Sequence, residues 1–276
     1  MNAKRLDALL CDLGHFDSRE RAKAVIMSGN VYIDGKRADK PGMQTDPRAS
    51  VEIRSFPKYV SRGGQKLEKA LEYFAVSPKD RVCIDCGGGS GGFTDCLLQG
   101  GARLVYVVDV GYGQLAWGIR NDPRVVTMER TNIRHVTPEM LATLPDLAVI
   151  DVSFISLALV LPAVRGLLAE GGEVLCLIKP QFEAGRDKVG KKGVVRHPET
   201  HISVLDAFLD NASQSGFTFI GVTHSPIKGP EGNIEFLGHL RLDYGEGLPR
   251  PDNEEMTRNA TDTSAIVQQA HKELSP

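Results

Sequence analysis

The residues best equipped for chemistry fall into two groups. The first is Val82-Cys83-Ile84-Asp85-Cys86-Gly87-Gly88-Gly89-Ser90-Gly91-Gly92-Phe93-Thr94-Asp95, where an apolar run ends in an acid, breaks into glycines and restarts with a helix-like pattern. Glycines at such a turn let backbone approach a ligand where any side chain would clash. The geometry suits a nucleotide-like ligand at the carboxyl end of a first parallel strand. Gly87, Gly89 and Gly92 also satisfy the G-x-G-x-x-G of dinucleotide-binding proteins. Asp109, 22 residues after Gly87, can accept hydrogen bonds from both ribose hydroxyls of an adenosine-containing cofactor of either kind. The second group is Lys66, Asp151, Lys179 and Glu235, each following a break in the apolar pattern. Two amines and two carboxylates can position a weak nucleophile and help it lose a proton.

Asp85 bears on the choice of ligand. A carboxylate two residues before Gly87 attracts the cationic methionine moiety of S-adenosylmethionine, directly or through water, and repels an approaching pyrophosphate. Glu129 and Asp151, at the ends of further strand-like runs, extend an acidic rim suited to a sulfonium cation. The D-x-G-x-x-x-G-G pattern from Asp85 resembles the cofactor loop of methyltransferases. The expected cofactor is therefore S-adenosylmethionine rather than a dinucleotide, bound by Asp85, Gly87, Gly89, Gly91, Gly92, Phe93, Asp109, Glu129 and Asp151.

To bring these groups together, strands and helices must alternate. Strands are predicted at 81–86, 103–109, 124–128, 146–151 and 173–178, with helices at 92–99, about 113–119, and 157–168. The uniformly apolar runs 104–108 and 174–178 predict strands buried on both faces of a parallel sheet. After a glycine- and lysine-rich loop at 185–193, a helix at about 199–214 precedes runs at 217–222 and 234–240, read as a hairpin carrying an antiparallel strand. Asp151 and Lys179 then end adjacent strands on the ligand side of the sheet. Lys66 opens a helix whose apolar face is Leu67, Ala70, Leu71 and Phe74. Seven strands ending in such a hairpin resemble the class I methyltransferase fold, an α/β, Rossmann-like, mostly parallel sheet.

The amino-terminal segment reads differently. Leu6, Leu9, Leu10 and Leu13 predict a helix stopped by Gly14, and Asp17 or Ser18 can cap a second helix running to Met27. Val31–Ile33 followed by Asp34-Gly35 predicts a strand and tight hairpin, with Val51–Ile53 as a closing strand. Between Met1 and Lys66 stand thirteen Lys/Arg against eight acids, although the whole chain carries only −2. A basic module on a mildly acidic body points to a polyanion partner. The pattern Arg5-Leu-Asp-x-x-Leu, Gly14, Ser18-Arg19-x-x-Ala22, Ile26-x-x-Gly29-x-Val31-x-Ile33-x-Gly35 and Lys40-Pro41-Gly42 resembles the S4 RNA-binding domain, a small α+β module. That resemblance implies that Arg5, Arg19, Arg21, Lys23 and Lys36 meet structured RNA through phosphates and shape. The expected organisation is an S4-like domain over 1–56, a linker at 57–60, a methyltransferase domain over 61–245 and a polar tail over 246–276 with a short helix.

Ser61-Arg-Gly-Gly-x-Lys66, Gly91-Gly-Phe-Thr-Asp95, Asp109-Val-Gly-Tyr-Gly-Gln-Leu115, Asp151-x-Ser-Phe-Ile-Ser156 and Lys179-Pro-Gln-Phe-Glu183 together resemble the TlyA (haemolysin A) family over roughly 3–245. In that light Lys66, Asp151, Lys179 and Glu235 look like the Lys-Asp-Lys-Glu tetrad of FtsJ-related ribose 2′-O-methyltransferases. The family implies methyl transfer to a cytidine ribose in ribosomal RNA or ribosomal subunits. A lysine acts as base only when its pKa falls well below about 10.4. A nearby lysine lowers it and nearby carboxylates raise it, so the identity of the base stays open. The expected arrangement has Lys179 at the 2′-oxygen, Lys66 orienting the ribose, and the two acids holding the lysines. The basic loop Lys188–Arg196 is either an RNA clamp or a flexible surface loop. Phe154 and Phe182 serve apolar packing or stack on a splayed base, packing being the commoner use.

Two other classes of function stay open: an RNA-binding protein whose methyltransferase fold does not turn over, and a membrane-active haemolysin. No apolar run approaches the roughly 18–20 residues that span a bilayer, and Met1-Asn-Ala-Lys-Arg5 leads into an amphipathic pattern, so the expectation is a cytoplasmic protein. Five scattered cysteines make no disulfide framework, and Cys83-x-x-Cys86 has no second pair to complete a metal site. No metal is expected.

Overall fold

The leucines at helical spacing form the buried face of helix α1 (Leu6–Asp12). The computed structural model describes residues 3–16, 18–27, 29–54, 58–242 and 262–274. Leu13, expected on that face, is instead 47% exposed, because the chain leaves the helix there and turns at Gly14 with φ of 76°. Helix α2 (Arg19–Met27) follows Ser18, whose hydroxyl accepts the Arg21 amide at 3.3 Å; Asp17 lies outside the described residues. Strands β2 (Val31–Ile33), β3 (Lys36–Ala38) and β5 (Val51–Ile53) form a sheet in the order β3-β2-β5. Asp34 and Gly35 both have positive φ, as the tight two-residue hairpin between β2 and β3 requires. A second, two-stranded ladder pairs β1 (Lys4–Arg5) with β4 (Gln44–Thr45). Leu6, Leu10, Phe16, Ala22, Val25, Ile26 and Val31 make the core of this unit, which spans Met1–Arg62.

One polar residue is built into that core. Asp7 is fully buried in the first turn of α1. Its carboxylate accepts hydrogen bonds from Arg5 (Nε at 3.1 Å, Nη2 at 3.0 Å) and from Arg19 Nη2 at 2.9 Å. The two guanidiniums, Arg5 first, hold its carboxyl well below the usual range. A depressed folded pKa gives stability that is present above the unfolded value of about 3.9 and is lost as pH falls below it.

The second unit, Gly63–Pro276, is organised around one seven-stranded sheet. Its strands are β6 (Val82–Cys86), β7 (Leu104–Val108), β8 (Val125–Met128), β9 (Leu147–Ile150), β10 (Glu173–Ile178), β11 (Phe217–His224) and β12 (Phe236–Leu242). The order is β11-β12-β10-β9-β6-β7-β8. All neighbours pair in parallel except β12, which runs antiparallel to both β10 and β11. Every residue of β6 and β9 is buried, as expected for strands covered on both faces. Helices α3 (Gly63–Tyr73), α4 (Gly92–Gln99), α6 (Leu157–Arg165) and α8 (Pro198–Gln214) match periodic segments of the sequence, and two single-turn helices, α5 (Trp117–Arg120) and α7 (Pro180–Glu183), lie in loops. The helix expected over 113–119 shrinks to α5. The Asp109 and Glu129 carboxylates accept the Gly111 and Gly113 amides, at 2.6 and 2.9 Å, and so compete with helical bonding there.

Helix α9 (Thr263–Leu274) buries Val267 and Ala270 in the main core. Thr263 Oγ1 donates to Asp206 Oδ1 of α8 at 2.9 Å, and the His201 and His271 rings meet at 2.9 Å. The five cysteines are free thiols. Among the described residues no helix is long and apolar enough to cross a membrane, and no cluster of His, Cys, Asp and Glu could hold a metal ion.

Replacing Asp7 with Asn should weaken the α1–α2 pair by about 1–3 kcal/mol at pH 7. Hydrogen–deuterium exchange of peptides from residues 6–27 should accelerate accordingly, with the difference from wild type closing as pH falls below about 4.

Candidate active site

The sheet changes direction of growth between β6 and β9, and the loops leaving these two strands lie side by side. Gly87 N–H donates to Val108 O at 2.8 Å and Asp151 N–H to Cys86 O at 2.9 Å, so both loops extend the strand ladders before diverging. Gly87 has φ of 92°, and a Cβ there would stand 2.6 Å from the Asp151 carbonyl oxygen. No other residue type fits so close to backbone. Gly89 and Gly91 also have positive φ; Gly91 caps α4, and a Cβ on it would meet Leu115 at 2.9 Å. Gly92 and Phe93 start that helix, and the Phe93 side chain is buried.

Three acids stand at or just past the ends of β6, β7 and β8. Asp85 is fully buried; Thr94 Oγ1 donates to its Oδ2 at 2.6 Å, while among the described residues Oδ1 has no hydrogen-bond partner. Burial, reinforced by Asp151 and Asp109, pushes its carboxyl up to about 7 against the opposing pull of Thr94. Asp109 holds the loop: its two oxygens accept the Gly89 and Gly111 amides at 2.7 and 2.6 Å. A carboxylate has about four lone-pair sites, so capacity remains for two hydroxyls. Glu129 is paired with Arg120 and accepts the Gly113 amide, and these partners hold its carboxyl low.

Lys66, Asp151, Lys179 and Glu235 form two ion pairs. Lys66, on the first turns of α3, reaches Glu235 Oε2 at 2.5 Å, and both side chains are buried. Lys179, just past β10, reaches Asp151 Oδ1 at 2.6 Å and donates to Ser153 Oγ at 3.0 Å. The register of β10 and β12 ends with Ile178 opposite Phe236, so the next pair in it is Lys179 and Glu235. Glu235 precedes its strand rather than lying within it. Adjacent cross-strand residues stand about 5 Å apart, so this register, continued by one residue, sets the two ion pairs side by side at the carboxyl end of β10.

Residues beyond the expected set complete the surroundings. Asn233 ties the basic loop to β12: its Oδ1 accepts the Val195 amide at 2.9 Å and its Nδ2 donates to Gly193 O at 2.8 Å. Phe154 corrects the packing expectation. It is 90% exposed with φ of 64°, its ring centroid 5.0 Å from that of Phe182. A positive φ on a bulky aromatic residue is a rare backbone state, and hydropathy carries no sign of it. The signal for Ser153 and Glu183 lay in the same short motifs as Asp151 and Lys179. In the amino-terminal unit, Arg5 and Arg19 are each 49% exposed while paired with Asp7, and Arg21 and Lys36 are exposed. Lys23 is half-buried.

A seven-stranded sheet with one antiparallel strand and a glycine turn after its first strand defines a class I methyltransferase domain. Residues 59–242 match the FtsJ-like methyltransferase family and residues 4–49 match the S4 domain. YqxC of Bacillus subtilis, provisionally named an rRNA methyltransferase, is 50% identical over 98% of this chain and 95% of its own length. The 16S/23S rRNA (cytidine-2′-O)-methyltransferase TlyA of Mycobacterium tuberculosis is 43% identical over 93% of this chain and 96% of its own. A solved protein from Streptococcus thermophilus, provisionally named a hemolysin, superposes with a TM-score of 0.75 at 46% identity, covering 99% of this chain and 97% of that one. The chain belongs to the TlyA family of FtsJ-like methyltransferases.

Asp85 makes the ligand-free protein sensitive to pH. Its raised folded pKa means that the stability contributed by the buried neutral acid is full below about 3.9 and is lost as pH rises through about 7. Asp85→Asn should therefore gain on wild type across that window, by up to roughly 4 kcal/mol at pH 8. Urea unfolding of both proteins at pH 5 and pH 8 measures the difference; an equal offset at the two pH values would contradict it.

Proposed function

We propose that this protein transfers a methyl group from S-adenosylmethionine to the 2′-hydroxyl of a cytidine ribose in ribosomal RNA. The observation that carries the reading is the pairing of Lys66 with Glu235 and Lys179 with Asp151 at adjacent positions, beside a glycine turn backed by a buried acid. The names of YqxC and TlyA support the substrate class. The S4 match supports RNA as partner, in naked or ribosomal form, and a ribosomal substrate supports a cytoplasmic site of action.

The residues fit the cofactor. Asp85 keeps one oxygen unpartnered in the interior, where an ammonium or a bridging water would satisfy it and draw the carboxyl back toward its ionised form. Gly87, Gly89, Gly91 and Gly92 keep side chains out of the loop that would lie along the ligand, with Phe93 packing beneath it. Asp109 receives the ribose hydroxyls, and Glu129 completes the acidic rim beside it. When bound, S-adenosylmethionine supplies an electrophilic methyl on a sulfonium.

The protein's own contribution is position and charge. A 2′-hydroxyl is a poor nucleophile, so holding its oxygen in line with the methyl removes much of the barrier. Lys179 contacts that oxygen and Lys66 orients the ribose, while Asp151 and Glu235 fix both amines by direct ion pairs. The exposed ring of Phe154 offers a stacking face to a base splayed out beside the target ribose. Arg5, Arg19, Arg21, Lys23 and Lys36 provide phosphate contacts. Arg5 and Arg19 are suited to this because Asp7 already restrains their guanidiniums, which lowers the entropy lost on binding.

Lys179→Ala should lower the rate of methyl transfer to ribosomal RNA by about 10²–10⁴-fold, with S-adenosylmethionine affinity nearly unchanged by calorimetry. Mapping of 2′-O-methyl positions in ribosomal RNA with and without the protein identifies the nucleotide. Near-normal transfer by the variant would overturn the assignment of Lys179. Lys36→Ala should weaken RNA binding and reduce the slope of log affinity against log salt by about 1, leaving cofactor affinity intact.

A further inference from the structure

Two short motifs contain acids and hydroxyls that the tetrad leaves unused. One is the loop after β9, Asp151-Val-Ser-Phe-Ile-Ser156; the other is the turn after β10, Lys179-Pro-Gln-Phe-Glu183. The structure joins them at three levels. At the base, Lys179 Nζ meets both Asp151 and Ser153. In the middle, the rings of Phe154 and Phe182 touch. At the far end, Ser156 Oγ donates to Glu183 Oε2 at 2.6 Å and the Leu157 amide donates to Glu183 Oε1 at 2.9 Å. Ser156 in turn caps α6 by accepting the Ala158 amide at 3.1 Å. The Glu183 carboxylate thus satisfies two donors at the start of α6, where anionic groups are favoured by the free amides and the helix dipole.

Between these anchors the chain adopts a conformation it would not choose alone. Phe154 carries a positive φ while presenting its side chain to solvent. Such a residue persists only when its surroundings over-determine it. Ser153 and Phe154 gain little from burial, so the fixing must come from the flanking contacts. Those are Val152 and Ile155 packed against the main core, the Lys179 bond to Ser153, and the Glu183 bonds to Ser156 and Leu157.

We propose that Glu183 is a positioning residue. Through Ser156 and the Leu157 amide it latches the β9 loop to the β10 turn, and this holds Phe154 and the Asp151–Lys179 pair in register for the target nucleoside. The inference rests on the proposed ribose methylation. Among the described residues, the hydrogen bonds of Glu183 go to Ser156 and the Leu157 amide, and not to the tetrad or the glycine loop, so its loss should affect the turnover step and spare the cofactor.

The test compares Glu183→Ala, Glu183→Gln and Ser156→Ala in the full chain. Glu183→Ala should lower kcat by about 10–100-fold, the scale of a 1 Å misplacement, while the Kd for S-adenosylmethionine changes less than about threefold. Glutamine can accept from the Leu157 amide and donate to Ser156, so Glu183→Gln should recover most of kcat. Ser156→Ala should fall between, and adding it to Glu183→Ala should cost nothing further, because the two act as one unit. Hydrogen–deuterium exchange over residues 153–158 should rise in Glu183→Ala and stay near wild type in Glu183→Gln. Unchanged kcat in Glu183→Ala, equal loss of cofactor affinity, or unaltered exchange at 153–158 would each overturn the latch. If the wild-type protein methylates no ribosomal RNA, the functional reading falls, while the exchange comparison still decides whether Glu183 holds the loop.

Discussion

The contact on which the second unit depends is the approach of Gly87 to the Asp151 carbonyl. Parallel strands β6 and β9 pair up to Cys86 and Ile150, and their loops part in the next residue. A methyl group at position 87 would stand 2.6 Å from the Asp151 oxygen, so a side chain would force the loops apart. Two functions hang from this one junction. The loop that turns one way carries the glycines, and the loop that turns the other way carries Asp151, Ser153 and Phe154. Under the proposed function, separating them would move the methyl-donor cradle relative to the tetrad, and transfer reactions tolerate little error in that distance.

Charge is buried at the same end of the sheet, and its arrangement is costly as stability alone. Lys66 and Glu235 are removed from water almost completely, as is Lys179. A buried ion pair of this kind often contributes less than an apolar pair of equal volume, while removing one partner costs roughly 3–5 kcal/mol. Under the proposed function its presence is pre-organisation: the amines are fixed before any hydroxyl arrives. The two pairs also differ. Glu235 is sealed and Asp151 is partly open, so water and ligand reach the Lys179 side more readily.

Much of the architecture was legible because local pattern and burial agree. Uniformly apolar runs such as Val105–Val108 become strands covered on both faces, and the glycine turn falls where the apolar run stops. The candidate residues were also legible, since each sits at a break. Their partners were not. Whether Lys66 faces Asp151 or Glu235 depends on the register of β10 with β12 and on a contact between residues 169 apart, and a single sequence encodes neither openly. The helix at 113–119 failed for a related reason, because carboxylates from two different strands take its amides. Asp7 escaped notice because a buried acid surrounded by arginines looks, along the chain, like one more surface charge.

Asn233 carries a consequence for the energetics of gripping a polyanion. Its side chain holds both Gly193 and Val195, so the carboxyl end of the basic segment is already ordered, two residues from Glu235. A free loop surrenders backbone freedom of about 1–2 kcal/mol per residue when it closes on a ligand. One stapled at its end surrenders less, so Arg186, Lys188, Lys191, Lys192 and Arg196 start from a backbone that is already partly ordered.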